Sequence, residues 1–218
     1  ANDPTVVFTP GTGTVTLGGM ETLIGIDFRQ SSRTLNGLDS LGNHYALTVP
    51  VNGSGSPTAT KKLNTSATPL TANVGYTTDF NPTSGNGFNR LRLIGDNDSN
   101  AVVEIETGKS TPDKDISGSP NPTVVAAAYS NNYRNAASTQ LFVVDSANSA
   151  IATQTVSDPT APATSPEVGQ LVNSQPLGIT LSGPVGFDIS GRNNENILLL
   201  ARTTAGPHTL YRVNLGFS

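Results

Sequence analysis

The chain of 218 residues contains no cysteine and no tryptophan, one methionine and two histidines. Without cysteine it has no disulfide, no thiol nucleophile and no thiolate-bound metal. Charge is scarce as well, at 13% of residues against about 25% in ordinary globular chains. Twelve basic residues face sixteen acidic ones for a net charge of −4, and no basic cluster could neutralise phosphates, which argues against nucleic acid and anionic membranes as partners. No apolar run approaches the roughly 20 residues that cross a bilayer as a helix, so membrane insertion is not expected. Heptads are absent, and helical periodicity is almost absent.

What fills the chain instead is Thr, Ser and Asn, with 22 glycines and 15 prolines. Short segments rich in Val, Ile, Thr, Tyr and Phe stand between Gly, Pro, Asn and Ser clusters, the pattern of an all-β protein. The strands predicted are Val15–Leu17, Leu23–Arg29, Leu35–Leu38, Tyr45–Val49, Tyr76–Phe80, Asn89–Ile94 and Val102–Glu106. Further on they are Val124–Tyr129, Gln140–Val144, Ile151–Val156, Val185–Ile189, Asn196–Ala201 and Thr209–Leu215. Asn36-Gly37, Asn52-Gly53 and Asn86-Gly87 tolerate positive φ and read as tight turns. Asp158–Pro166 has three prolines and no apolar side chain larger than Ala. It reads as an extended surface loop between repeats, or as a glycosylated or partner-binding segment.

The strands form a loose internal repeat. Gly25-Ile26-Asp27-Phe28, Thr78-Asp79-Phe80-Asn81 and Gly186-Phe187-Asp188-Ile189 share an apolar-Asp pattern, and Ala127-Ala128-Tyr129-Ser130 holds the matching place without a carboxylate. Successive copies lie 52, 49 and 60 residues apart, a period that suits one propeller blade each. The expected fold is a single domain over residues 1–218, a small β-propeller of about four to five blades. Thr5–Phe8 and Gly13–Leu17 stand before the first repeat, and an N-terminal strand is expected to complete the C-terminal blade. A β-sandwich is the alternative arrangement of the same strands.

With Leu23–Arg29, Asp79–Pro82, Asn89–Leu93, Val124–Asn131, Gly186–Ile189 and Leu210–Leu215 in that order, the chain resembles a family of exported bacterial proteins known by a domain of unknown function, DUF4394. The resemblance implies a secreted, propeller-like repeat domain and supplies no activity. Secretion is also expected because the sequence begins at Ala1 without Met, as a mature product does.

Catalytic machinery is hard to find. His44 beside Asn43, and His208 after Gly206-Pro207, read as surface turn residues far from any nucleophile elbow. Asp96-Asn97-Asp98-Ser99-Asn100 presents oxygen ligands at alternating positions, with Glu104 nearby. It lacks the glycine and distal glutamate of a calcium loop, so a turn and a calcium site both stay open. Asp27, Asp79 and Asp188 hold equivalent repeat positions. On innermost strands they would converge on the axis, either as structural acceptors of backbone N–H groups, as a cation site, or as an acid–base ring. The reading favours structural aspartates, no cofactor, and a non-enzymatic extracellular structural or interaction protein. Its expected partners are copies of itself through terminal strand exchange, into a filament or ring, or components of the matrix and cell surface. A secreted binding module for a small ligand, glycan or cation is one alternative. A hydrolase using the Asp ring is the other.

Overall fold

A computed structural model describes residues 22–49, 57–64, 70–83, 89–155, 168–203 and 206–216. Fifteen strands make four antiparallel sheets. Blade 1 is β1 (Leu23–Arg29), β2 (Thr34–Asp39), β3 (Asn43–Thr48) and β4 (Thr58–Asn64). Blade 2 is β5 (Tyr76–Phe80), β6 (Arg90–Gly95), β7 (Asn100–Glu104) and β8 (Lys109–Pro112). Blade 3 is β9 (Val124–Tyr129), β10 (Leu141–Asp145), β11 (Ala150–Gln154) and β12 (Leu171–Pro176). Blade 4 is β13 (Gly186–Ser190), β14 (Asn196–Ala201) and β15 (Thr209–Arg212). Within each blade the strands pair in sequence order. The inner strands β1 and β5, β5 and β9, and β9 and β13 lie side by side. This is a four-blade β-propeller rather than a sandwich.

Local chemistry explains the meanders. The turns between paired strands are carried by residues that accept positive φ, such as Gly42 between β2 and β3 (φ 79°), Asp98 between β6 and β7 (φ 71°) and Asn194 between β13 and β14 (φ 52°). Asp39 closes the β2–β3 turn with both oxygens, accepting from the N–H groups of Leu41 (3.0 Å) and Asn43 (2.7 Å), from Asn43 Nδ2 (2.8 Å) and from the Tyr45 hydroxyl (3.0 Å). Asp145 serves blade 3 in the same way, taking the N–H groups of Thr123 (2.9 Å) and Ala147 (3.0 Å).

The core lies between blades. Leu38 of blade 1 meets Phe80, Leu91, Leu93, Val103 and Ile105 of blade 2. Ile94 of blade 2 meets Val124, Ala127, Tyr129, Leu141 and Val143 of blade 3. Ala126, Ala128, Phe142 and Val144 of blade 3 meet Ile189, Ile197, Leu199 and Ala201 of blade 4. Central blades are therefore covered on both faces, and every residue of β10 and β11 is buried. Blades 1 and 4 have one neighbour each among the described residues.

Three strands escape a reading of sequence: β4, β8 and β12, each the outermost of its blade. Outer strands carry Lys and Pro, as Lys61-Lys62, Lys109 and Pro112, and Pro176 show, because an edge avoids hydrophobic alternation. Asn36-Gly37 is a second correction. It lies in the middle of β2, with Asn36 opposite Asp27 and Gly37 opposite Ile26. Glycine is required there for space rather than for a turn, since a Cβ on Gly37 would stand 2.8 Å from Leu23 and 3.1 Å from Leu47. Thr5–Phe8, Gly13–Leu17, Asn52-Gly53, Asn86-Gly87 and Asp158–Pro166 lie outside the described residues.

Candidate functional site

The inner strands bring the repeated aspartates together. β1 alternates, so Ile26 and Phe28 face one way and Gly25 and Asp27 face blade 2. The approach is close: a Cβ on Gly25 would stand 2.3 Å from Thr78 Oγ1. Asp27 Oδ2 accepts the N–H of Phe80 on the next blade at 2.7 Å, and its Oδ1 accepts the N–H of Phe28 on its own strand at 2.5 Å. Asp79 repeats the arrangement one blade on, with its Oδ2 accepting the N–H of Tyr129 at 2.5 Å. Thr77 Oγ1 accepts the N–H of Ala127 at 3.0 Å beside it. Each carboxylate thus satisfies a backbone donor of the following blade, which a purely apolar contact would leave unpaired.

The third joint differs. Blade 3 has Ala128 at the repeat position, and small alanines pack directly on Ile189 and its neighbours. Polar fastening moves outward, to Asn131 N–H donating to Asn194 Oδ1 at 2.6 Å and Asn194 Nδ2 donating to Asn131 Oδ1 at 3.3 Å. Asp188 on β13 is exposed. It takes the N–H of Ile189 on its own strand and, among the described residues, none from another blade.

The Asp27 and Asp79 side chains also act on each other across the joint, and each shifts the other's titration. Burial raises Asp79 well above the usual carboxyl range, and the neighbouring Asp27 charge adds to the rise. Asp27 is raised by burial, against the pull of its hydrogen bonds from Asp79, Phe80 and Phe28. Asp188 repels both from nearby, and its own value is raised by partial desolvation. Two carboxyls coupled in so dry a place favour holding a proton between them. The structure brings Asp27 and Asp79 to one joint and leaves Asp188 apart. Among the described residues no group of three or more His, Asp or Glu is disposed to hold a metal ion.

Asp96–Asn100 forms the β6–β7 turn. Asn97 Oδ1 accepts from Ser99 N–H (3.3 Å) and Ser99 Oγ (2.7 Å), and Gly95 N–H reaches the Ser99 carbonyl at 2.8 Å. Asn100 is buried, its Nδ2 donating to the Lys114 carbonyl and its Oδ1 accepting from Arg92. These oxygens are engaged in closing the hairpin.

The expectation for His44 is overturned. It lies inside β3 and is buried, with Nε2 2.8 Å from Asn36 Oδ1. Asn36 spends its Nδ2 on the Thr34 carbonyl, so Nε2 carries the proton. The misleading signal was Asn43-His44 beside Gly42. Burial, with Arg29 and Lys62 nearby, lowers the His44 pKa to about 4. NMR titration should find this ring neutral down to about pH 4; a midpoint above 6 would contradict its burial. His208 is exposed just before β15, as expected. Beside His44, a cleft of about 410 Å³ between blades 1 and 2 is lined by Arg29, Thr34, Asn36, Lys62 and Glu106. Arg29 there is engaged by Glu106 at 2.7 Å and by Asn89.

The domain of unknown function DUF4394 matches residues 4–217, nearly the whole chain. The chain belongs to the DUF4394 family. No curated protein matches this DUF4394 chain. Among solved structures, the crystal structure of Chaetomium thermophilum Raptor is similar at 10% identity with a TM-score of 0.43. The likeness covers 83% of this chain, which spans 15% of that one.

Proposed function

We propose that this DUF4394 domain is an extracellular structural protein that assembles with copies of itself, an N-terminal strand of one copy completing the last blade of another. The observation that carries this reading is the count of strands per blade. Blades 1 to 3 have four strands and blade 4 has three among the described residues, with β15 at its rim. An unpaired strand edge recruits another strand. The alternating Thr, Val and Leu of Gly13–Leu17, and the Val6-Val7-Phe8 run before them, suit that role. A cysteine-free, weakly charged, turn-rich chain suits an extracellular setting. The inner aspartates support a structural role over a hydrolytic one, because Asp79 is buried and both carboxyls of the pair are occupied by backbone N–H groups and by each other.

Deleting Ala1–Leu17 tests the proposal. The full chain should form species larger than a monomer as concentration rises, and the deletion should give a folded monomer by sedimentation and circular dichroism. Assembly unchanged by the deletion would sink the idea, and global unfolding would instead mark an intramolecular clasp.

A second reading, a binding module for a small polar ligand, is favoured by the cleft beside Arg29 and Lys62, whose volume lies within the range of ligand pockets. Calorimetry with a glycan panel and divalent ions would reveal it.

A further inference from the structure

We infer that the two end faces of the four-blade array are the halves of one interface: the blade 4 face bearing Asp188, Leu200 and Leu210 receives the blade 1 face bearing Ile26 and Phe28 from a second copy, with Asp188 accepting the Phe28 N–H. This inference rests on the self-assembly proposed above and supplies its geometry.

This contact would continue an interface already present twice within the chain. Asp27 and Asp79 stand on the face each blade turns to the next, and each takes the N–H of the residue after the following repeat position, Phe80 and Tyr129. Asp188 stands on the corresponding face of blade 4. Leu198 is opposite it on β14, and Leu200 and Leu210 share its side of the sheet by strand alternation. On the opposite face, Phe187, Ile189, Ile197 and Leu199 pack on blade 3. Blade 1 presents the matching receiving face. Its Phe28 N–H is the equivalent of the Phe80 and Tyr129 donors and, with no acceptor from another blade among the described residues, turns to its own Asp27.

Exposure marks the same two faces. Ile26 is 57% exposed, Phe28 50%, Leu200 44% and Leu210 55%, whereas Phe80 and Tyr129, which match Phe28, and Leu38 and Ile94, which match Leu200, are buried at internal joints. Among the described residues β13 and β1 do not lie side by side as the other inner strands do, so these two faces are not packed on each other there. A face that offers an acceptor and one that offers a donor make a head-to-tail contact, which propagates into a ring or filament.

Complementary variants of the full chain test it in a dilution series by sedimentation. Leu200→Glu spoils the blade 4 face and Phe28→Glu the blade 1 face. Each alone should be a folded monomer where the wild type assembles, its half-assembly concentration raised at least about tenfold, the scale of 1.4 kcal/mol. Mixed together they should form a dimer and nothing larger, because one intact pair of faces remains. Leu210→Glu and Ile26→Glu replace either variant that fails to fold by circular dichroism. Assembly that persists in the variants, or monomers that stay apart when mixed, would overturn the inference. If assembly is lost on deleting Ala1–Leu17 but survives these variants, strand exchange stands and the face contact falls. A wild type that is monomeric at every concentration refutes both.

Discussion

Asp79→Asn should leave the protein about as stable as the wild type at neutral pH and remove much of its pH dependence, whereas Asp79→Leu should destabilise it by about 1–3 kcal/mol, the cost of an unpaired buried donor. From sequence alone, loss of the repeated carboxylate is expected to lower stability, and the shared proton changes that expectation for the amide. Asn can still accept the Tyr129 N–H through its oxygen, and its Nδ2 offers Asp27 the donor that a protonated Asp79 would. Leucine can do neither, and it leaves the buried Tyr129 N–H without an acceptor.

The pH dependence follows from the direction of the shifts. Asp27 and Asp79 are both raised from 3.8 in the folded state, so folding takes up protons. That stabilisation is complete below the unfolded value of 3.8 and is lost as pH rises through the folded values. Wild-type melting temperature should therefore rise on acidification from alkaline pH toward pH 5, and Asp79→Asn should show a flatter profile. A slope identical in the two proteins would contradict the shared proton.

Phe80→Ala should cost roughly 3–5 kcal/mol, the usual range for a fully buried aromatic. Phe80 has no exposed surface and fills the joint between blades 1 and 2 among Leu38, Leu91 and Leu93, while its N–H is held by Asp27. At about 2–4 °C per kcal/mol for a chain of this size, the shift in thermal unfolding would be plain. A loss below about 1 kcal/mol, the scale of an ordinary surface change, would show that the two blades do not depend on this side chain.

Inner strands were legible because they carry two signals at once, an apolar pattern and a repeated polar residue. The inner strands β1, β5 and β9 have the bounds read from sequence, and β13 begins and ends one residue later than read. Strand alternation also placed Asp27 on the face opposite Ile26 and Phe28, and the matching site at Ala128 was found despite its missing carboxylate. Outer strands were illegible because an edge selects against the alternation that would reveal it, as Lys61-Lys62 in β4 illustrates. Asn36-Gly37 misled because its chemistry is that of a turn, while its role depends on Leu23 and Leu47 crowding Gly37 and on His44 meeting Asn36 across β2 and β3. Those are tertiary facts. Proton sharing belongs with them, since it needs two carboxyls 52 residues apart to meet in a dry joint.

We propose that Asp27 and Asp79 form a protonated joint between blades 1 and 2, a structural pair rather than a cation-binding or catalytic one. Infrared spectroscopy tests it most directly, because a protonated carboxyl and a carboxylate absorb at separate frequencies. With isotope-labelled aspartate, the wild type should keep a protonated-carboxyl band to higher pH than Asp79→Asn does, and divalent cations should leave it unchanged. A band lost at the same pH in both proteins, or one displaced by added calcium, would contradict the account.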